Sequence, residues 1–187
     1  MTRSPLRLLV ATVATALGVV LLAPAGPAAA SSCGITWGSL AKSGTHDASF
    51  DTLRDVRAGR HTCFDRLVID LARAPQFTAY SVHYGTAHQE GTGNAIPLTG
   101  TDMEIVLQSP AYDSNGKATF TPVSTKNVVD VTGFRTFRQV AWGGSYEGYT
   151  TLGLGVRARL PFRVTVLDGA PGHPTGARVV VDVAHAW

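Results

Sequence analysis

The sequence is short of charged residues, of cysteine and of helical periodicity, and each shortage excludes a class of protein. Only 16% of its 187 residues are charged, and Cys33 and Cys63 are its only cysteines. No window of 11 or more residues has a convincing helical period, which argues against an α-helical fold. The longest uncharged apolar run falls short of the roughly 20 residues of a membrane-spanning helix, so we expect no transmembrane span in the mature chain.

Residues 1–30 have the pattern of a secretory signal peptide. Arg3 and Arg7 form a basic start, residues 8–22 are an uncharged apolar run, and residues 28–30 are three alanines suited to cleavage. Removing this segment leaves 14 basic and 13 acidic side chains, a net charge of +1. We therefore expect a secreted, extracytoplasmic protein that does not bind nucleic acid, because phosphate binding needs a cationic surplus.

Both cysteines lie in the part of the chain that would be exported. An even pair in an oxidising compartment predicts a Cys33–Cys63 disulfide. This bond would tie an N-terminal arm, residues 31–50, to the domain of residues 51–187. Lipid attachment at Cys33 is the alternative, although Ala30 stands where such sites usually carry a large aliphatic residue.

The apolar pattern after residue 50 is almost entirely of period two, which is typical of strands. It predicts strands at residues 67–71, 80–84, 103–107, 128–131, 134–142, 150–160, 162–167 and 177–183. Asn115-Gly116 is predicted to form a two-residue hairpin turn, of the kind that tolerates positive φ at both positions. Pro161 is predicted to break or bulge the long run around it, or to lie at a sheet edge. The best helical candidate, Phe50, Leu53 and Val56, spans only two turns. The spacing of turns predicts an all-β, two-sheet antiparallel β-sandwich.

A seven-residue repeat supports the two-sheet fold. Residues 66–72 return as residues 178–184 with four identical positions. In each copy an arginine lies four residues before an aspartate, Asp70 or Asp182, on the same face of a strand. We expect these side chains to form cross-strand ion pairs. The alternative is that two of Asp65, Asp70 and Asp182 form the carboxylate pair of a glycoside hydrolase.

The common catalytic and metal-binding motifs are incomplete. Ser145 lacks the second glycine of a nucleophile elbow, and we interpret its surroundings as a flexible loop. The histidines lack ligand spacing, and the odd separation of His83 and His88 would place them on opposite faces of a strand. The glycine-rich stretch after residue 142 lacks the lysine of a phosphate loop. We therefore expect no metal and no cofactor.

Arginine and aromatic residues are concentrated between residues 134 and 163. Five of the eleven arginines of the mature chain fall within residues 135–163, against a single acid, Glu147. Aromatic faces suit sugar rings, and guanidinium groups bind carboxylates with two hydrogen bonds. In the alternative interpretation, Phe134 and Trp142 are core residues and the arginines are solvated or stacked. Trp142 or Tyr146 would stack on a sugar ring in the binding interpretation, whose candidate ligand-binding residues are Arg135, Arg138, Gln139, Trp142, Tyr146, Arg157 and Arg159.

Four blocks of the sequence resemble the AMIN-like domain family of exported bacterial proteins: Cys63–Asp70, Gly133–Trp142, Gly153–Arg163 and Val179–His185. The resemblance covers residues 33–187 and implies a β-sandwich. The broader AMIN group binds peptidoglycan and localises envelope proteins. The resemblance therefore implies a non-catalytic, cell-wall-associated module that binds a wall glycan or its stem peptide. A secreted hydrolase of wall polymers and a protein–protein interaction module remain open.

Overall fold

Nine β-strands make up the regular structure of the described residues. The computed structural model describes residues 33–44, 51–73 and 79–187, which belong to the compact unit Ser31–Trp187. The predicted signal peptide lies outside these residues. The strands are β1 (Lys42–Gly44), β2 (Leu53–Arg60), β3 (Phe64–Leu71), β4 (Tyr80–Tyr84), β5 (Thr101–Leu107), β6 (Phe137–Tyr146), β7 (Tyr149–Val156), β8 (Phe162–Ala170) and β9 (His173–Ala184).

The strands form two sheets, and every neighbouring pair is antiparallel. The five-stranded sheet has the order β1-β4-β5-β7-β6, and the four-stranded sheet has the order β2-β3-β9-β8. One core cluster contains buried side chains from both sheets. The all-β, two-sheet antiparallel architecture predicted from the sequence is therefore confirmed.

The core is built from the inward positions of the alternating strands. Phe137 on β6 and Leu154 on β7 come from the five-stranded sheet, while Leu67 on β3 and Phe162 on β8 come from the four-stranded sheet. All four side chains are almost fully buried. Burying a side chain of this size contributes roughly 1.5–3 kcal/mol, so this contact between the sheets is the main source of stability.

The loop of residues 85–100, which we call the covering loop, packs on the outer face of the five-stranded sheet. Ile96 and Leu98 pack there against Ala87 and Ala141 in a second, smaller apolar cluster. A Cβ atom on Gly155 would lie 2.4 Å from the carbonyl oxygen of Thr99. The glycine at this position therefore allows the backbone of the covering loop to lie close to β7.

The two copies of the repeat are neighbouring strands at the centre of the four-stranded sheet. Arg66 on β3 lies opposite Asp182 on β9, and Asp70 lies opposite Arg178. Arg66 donates to both oxygens of Asp182, at 2.6 and 2.8 Å. The predicted cross-strand pairing is confirmed for this pair, whereas Asp70 accepts from Arg57 on β2 instead.

The Cys33–Cys63 disulfide predicted from the sequence is present. It joins the described part of the arm to the start of β3. Trp37 of the arm lies 4.4 Å below the Arg163 guanidinium and packs edge-on against Phe64. The arm also contributes β1, which extends the five-stranded sheet beside β4. The arm is thus part of the sandwich and is held by more than its disulfide.

One predicted strand is absent, and one strand was missed. Residues 128–131 are not a strand: Val128 donates one backbone hydrogen bond to Val140 on β6, but the chain then turns away. The segment with helical spacing, Leu53 and Val56, is strand β2, because a bulge at its start changes the phase of its apolar pattern. The predicted hairpin turn at residues 115–116 is present, since Tyr112 and Ala118 pair on either side of it, and Gly116 has positive φ. The predicted interruption at Pro161 is confirmed, since it lies between β7 and β8.

Asp51 is a buried carboxyl next to β2. Its Oδ1 accepts from the backbone amides of Thr52 and Arg73, at 2.7 and 2.9 Å. Its Oδ2 is buried and has no hydrogen-bond partner among the described residues. Burial raises the pKa of Asp51 from 3.8 to about 6, and the backbone hydrogen bonds oppose this only in part.

We expect the free energy of unfolding of the wild type to fall between pH 4 and pH 6, and we expect Asp51→Asn to abolish this fall. Because the folded-state pKa of Asp51 is raised, the unfolded chain loses this proton first, and the free energy of unfolding falls as the pH rises through this range. The variant should be more stable than the wild type by about 2 kcal/mol at pH 7 and equally stable at pH 3.5. Urea unfolding at several pH values measures this. The same pH dependence in the variant would contradict it, and Asp55→Asn, an exposed change on β2, is the control.

Candidate functional site

Five arginines lie at one end of the sandwich because several strands begin or end there. β2 and β7 end at this edge while β6 begins, and Phe137 of β6 lies opposite Val156 of β7. The loops and strand ends at this edge carry the arginines, and all five side chains are exposed. We call this surface the arginine end, and it consists of Arg60, Arg135, Arg138, Arg157 and Arg159.

The loop that leads into β6 is held in place by its neighbours. Arg157 donates its backbone amide to the carbonyl of Thr136, at 2.8 Å. Arg138 folds back so that its Nη1 donates to the carbonyls of Phe137 and Phe134, at 2.9 and 3.3 Å, and its Nη2 donates to that of Arg135. These contacts bring Arg135, Arg138 and Arg157 together, as the binding interpretation requires.

An open cleft of about 440 Å³ lies beside this loop. The rings of Phe134 and Phe137 stack in parallel beside it, 5.9 Å apart, and Arg60 lies 6.0 Å from the Phe134 ring. Arg138 lines the cleft, and Asp130 is the one acidic side chain among the described residues that line it. Hydrogen bonds from Thr132 lower the pKa of Asp130. The cleft therefore offers an aromatic wall and cationic groups with limited competition from acids.

Asp65 is the buried anchor of this end. Its Oδ2 accepts from the backbone amides of Thr136 and Phe137, at 2.6 and 3.1 Å. Its Oδ1 lies 3.1 Å from Nε2 of His185, whose Nδ1 lies 3.2 Å from the carbonyl of Thr62. Asp65 thus connects β3, β6 and the C-terminal segment.

A second group of side chains continues the surface across the sheet. The Arg159 guanidinium lies 5.0 Å from the ring of Tyr84 and donates to the carbonyl of Ser39, at 3.1 Å. Burial raises the pKa of Tyr84, whose hydroxyl donates to the carbonyl of Leu160 and accepts from its amide. Since β4 and β6 are three strand spacings apart, the arginine end is a row about 14 Å long.

Trp187 is the aromatic side chain that the sequence analysis missed. Its indole Nε1 donates to the carbonyl of Arg159, at 3.1 Å, while 68% of the residue is exposed. Its ring is therefore oriented by a hydrogen bond and open to solvent beside two arginines. Its position in the sequence was a weak indication of exposure: Trp187 lies three residues beyond the last strand, outside any alternating apolar pattern.

Three of the predicted ligand-binding residues have other positions. Gln139 accepts from the amide and hydroxyl of Thr99 and donates to the carbonyl of Lys126, so its amide connects two loops. Trp142 packs against the core and beside Phe120, as the alternative interpretation expected. Tyr146 is exposed, but it lies at the other end of β6, about 26 Å along the strand from Arg138.

The candidate catalytic carboxylates serve in ion pairs and hydrogen bonds. Asp70 and Asp182 are buried, and their oxygens accept from arginines on neighbouring strands. Ser145, which we expected in a flexible loop, lies in strand β6. Its hydroxyl donates to the carbonyl of Tyr149 and accepts from the amide of Ala111. The hydroxyl therefore satisfies two backbone groups near the end of the strand.

His83 and His88 face the same carboxylate, which corrects the prediction that they point in opposite directions. His83 lies 3.4 Å and His88 3.5 Å from the oxygens of Glu104. The strand ends at Tyr84, so the odd separation no longer sets the direction of His88. Within residues 33–44, 51–73 and 79–187, no group of three or more His, Cys, Asp or Glu side chains could hold a metal ion.

Comparison with known proteins identifies a family. The AMIN-like domain model matches residues 51–185, which confirms the resemblance seen in the sequence. AMIN-like domains are associated with the cell envelope and are a non-catalytic domain type, and the disulfide fits an extracytoplasmic protein. No curated protein and no solved structure matches the chain. In the part of the chain that the structure describes, no helix is long and apolar enough to cross a membrane.

Proposed function

We propose a function for this chain, which belongs to the AMIN-like domain family. It is a secreted protein that binds a cell-wall polymer through its arginine end. The ligand would be the glycan of peptidoglycan or the carboxylates of its stem peptides. One observation carries the proposal: exposed guanidinium groups and an exposed indole lie together at one end of the sandwich.

The chemistry of this end matches the two parts of such a polymer. Guanidinium groups such as those of Arg135 and Arg157 bind carboxylates with charge-assisted hydrogen bonds. The exposed face of Trp187 is suited to the apolar face of a sugar ring, since indoles combine a large apolar surface with a polar edge. A row of such groups would contact a chain molecule at several points.

Sedimentation with insoluble cell-wall sacculi tests the proposal. The mature protein with its disulfide intact should sediment with sacculi, and Arg135→Ala/Arg157→Ala should weaken binding at least tenfold, roughly the effect of losing one charge-assisted contact. Trp187→Ala should also weaken it. Tyr146→Ala and Arg73→Ala are matched controls: the first replaces an exposed aromatic at the other end of β6, the second an exposed arginine outside the arginine end.

Equal sedimentation of the wild type and the double arginine variant would overturn the proposed site. Failure of the wild type to sediment would overturn the proposed ligand. In that case, cross-linking that captures a protein at the arginine end would favour the protein–protein interaction module, because exposed arginine and tryptophan side chains are frequent at protein interfaces.

A further inference from the structure

The outer face of the four-stranded sheet carries four arginines, one on each strand. Arg57 lies on β2, Arg66 on β3, Arg178 on β9 and Arg163 on β8. This face is separate from the arginine end, since these side chains stand on the strands and not on the loops beyond them. Each guanidinium is a possible donor to an anion, and its availability depends on its partner in the protein.

Three of the four arginines are paired with a buried aspartate, and two of these three share Asp182. Arg57 donates Nε and Nη2 to Asp70, at 2.6 and 3.0 Å. Asp182 accepts from Nε of Arg66 at 2.6 Å and from Nε of Arg163 at 2.9 Å. Both aspartates are almost completely buried, so their charges are committed to these pairs.

Arg178 is the exception. It lies opposite Asp70 in the register of β3 and β9, but both oxygens of Asp70 already accept from Arg57. The Arg178 Nη2 donates to the backbone carbonyl of Asp168, at 2.8 Å. Its Nε is buried and has no hydrogen-bond partner among the described residues. A buried donor without an acceptor is unfavourable, so the side chain gains if it turns this donor toward an oxygen bound beside it.

A cavity of about 280 Å³ lies beside this group. The guanidinium-bearing side chains of Arg57, Arg66 and Arg178 line it together with His61. Its apolar lining consists of Ala58, Val68, Leu167 and Val180. The cavity therefore joins hydrogen-bond donors to an apolar surface, as expected for a site that binds an organic anion.

The charge of the face also favours an anion. Arg57, Arg66, Arg163 and Arg178 stand on the outward positions of the strands with the buried Asp70 and Asp182 and the exposed Asp55, which leaves one net positive charge there. Asp168 is exposed at the rim and contacts Arg178 through its backbone carbonyl.

We propose that this cavity is an oxyanion-binding site, in which Arg178 and Arg66 hold a carboxylate or phosphate whose attached carbon atoms lie on Val68 and Leu167. The site is independent of the wall-polymer surface proposed above. It takes a small anion, or the anionic end of a larger molecule. The shared chemistry is an oxyanion on an aliphatic group, and the test separates carboxylate from phosphate.

Nuclear magnetic resonance of the arginine Nε–H groups tests the proposal on the wild-type protein. Acetate, hexanoate and inorganic phosphate are titrated separately, and the Arg178 Nε–H signal should shift with at least one of hexanoate and phosphate. Tighter binding of hexanoate than of acetate and phosphate would identify an aliphatic carboxylate as the ligand. Tighter binding of phosphate would identify a phosphate group.

Arg178→Lys and Arg163→Lys form the matched pair of variants. The first keeps the charge but removes the unpartnered Nε donor, and it should weaken binding of the preferred anion by about tenfold. The second changes an arginine of the same face that does not line the cavity, and it should bind as the wild type does. Arg178→Lys should still sediment with sacculi, which separates this site from the arginine end.

An Arg178 Nε–H signal that is unmoved by hexanoate and by phosphate would overturn the proposal. So would an equal loss of affinity in the two lysine variants. If Arg178→Lys does not fold, the titration of the wild-type protein decides alone.

Discussion

Replacing Asp65 by alanine should lower the free energy of unfolding by about 3–5 kcal/mol, because it removes the acceptor of two buried backbone amides and the partner of His185 at once. The carboxylate is fully buried. Without it, the amides of Thr136 and Phe137 lose their acceptor, and His185 loses its carboxylate partner. This loss is a large part of the 5–15 kcal/mol that stabilises a typical domain.

Denaturant unfolding measures the effect, and Asp130→Ala is the matched control. Asp130 also accepts a backbone hydrogen bond, from Thr132, but it is exposed. Its replacement should leave the unfolding midpoint close to that of the wild type. A similar, small shift for both variants would show that the Asp65 network does not hold the two sheets together.

The Asp65 variant also tests how the arginine end is built. Arg135 and Arg138 flank the two amides that Asp65 holds, and the Arg157 side chain donates to the carbonyl of His185. If a folded fraction of Asp65→Ala remains, we expect it to sediment poorly with sacculi. The geometry of the binding surface thus depends on a residue that a ligand need not contact.

Much of the fold could be predicted because one face of most strands is buried. Met103, Ile105 and Leu107 of β5 alternate with partly exposed residues, and such a strand is recognisable from its pattern alone. The repeat was informative because it places Arg66 and Asp182 on neighbouring strands, where their opposite charges form an ion pair. Strand β2 was missed because its bulge interrupts the alternation.

The candidate site could be predicted only in part, because strand ends are a property of the whole fold. Arg135, Arg138, Arg157 and Arg159 were identified from their concentration in the sequence, and antiparallel pairing brings them to one end. Tyr146 is close to Arg138 in sequence, but an extended strand separates the two. No local pattern indicated that Trp187 folds back onto the loop after β7.

The antiparallel pairing of the strands also explains how one small domain can present two different arginine surfaces. Arginines on loops, such as Arg135, are exposed to solvent, and their hydrogen-bonding groups are available to a polymer. Arginines on strands, such as Arg66, are placed near aspartates by the register, and most of them are paired with one. Arg178 lies opposite Asp70 but is not paired with it, because the oxygens of Asp70 accept hydrogen bonds from Arg57.

Gly155→Ala should destabilise the protein by about 3 kcal/mol although it adds a single methyl group. The new Cβ atom would lie 2.4 Å from the carbonyl oxygen of Thr99, a backbone atom that cannot rotate away. Either β7 or the covering loop must therefore shift. Movement of the loop would break the hydrogen bonds between Thr99 and Gln139 and would open the small cluster around Ile96.

Gly38→Ala is the matched control, because a Cβ atom at Gly38 meets no other atom within 4 Å. Denaturant unfolding gives the difference in stability, and hydrogen exchange locates it. The amide of Ile96, which donates to Ala87 within the covering loop, should exchange faster in Gly155→Ala than in Gly38→Ala. Unchanged exchange at Ile96 together with wild-type stability would mean that the loop does not lie against β7 as closely as the glycine stretch implies.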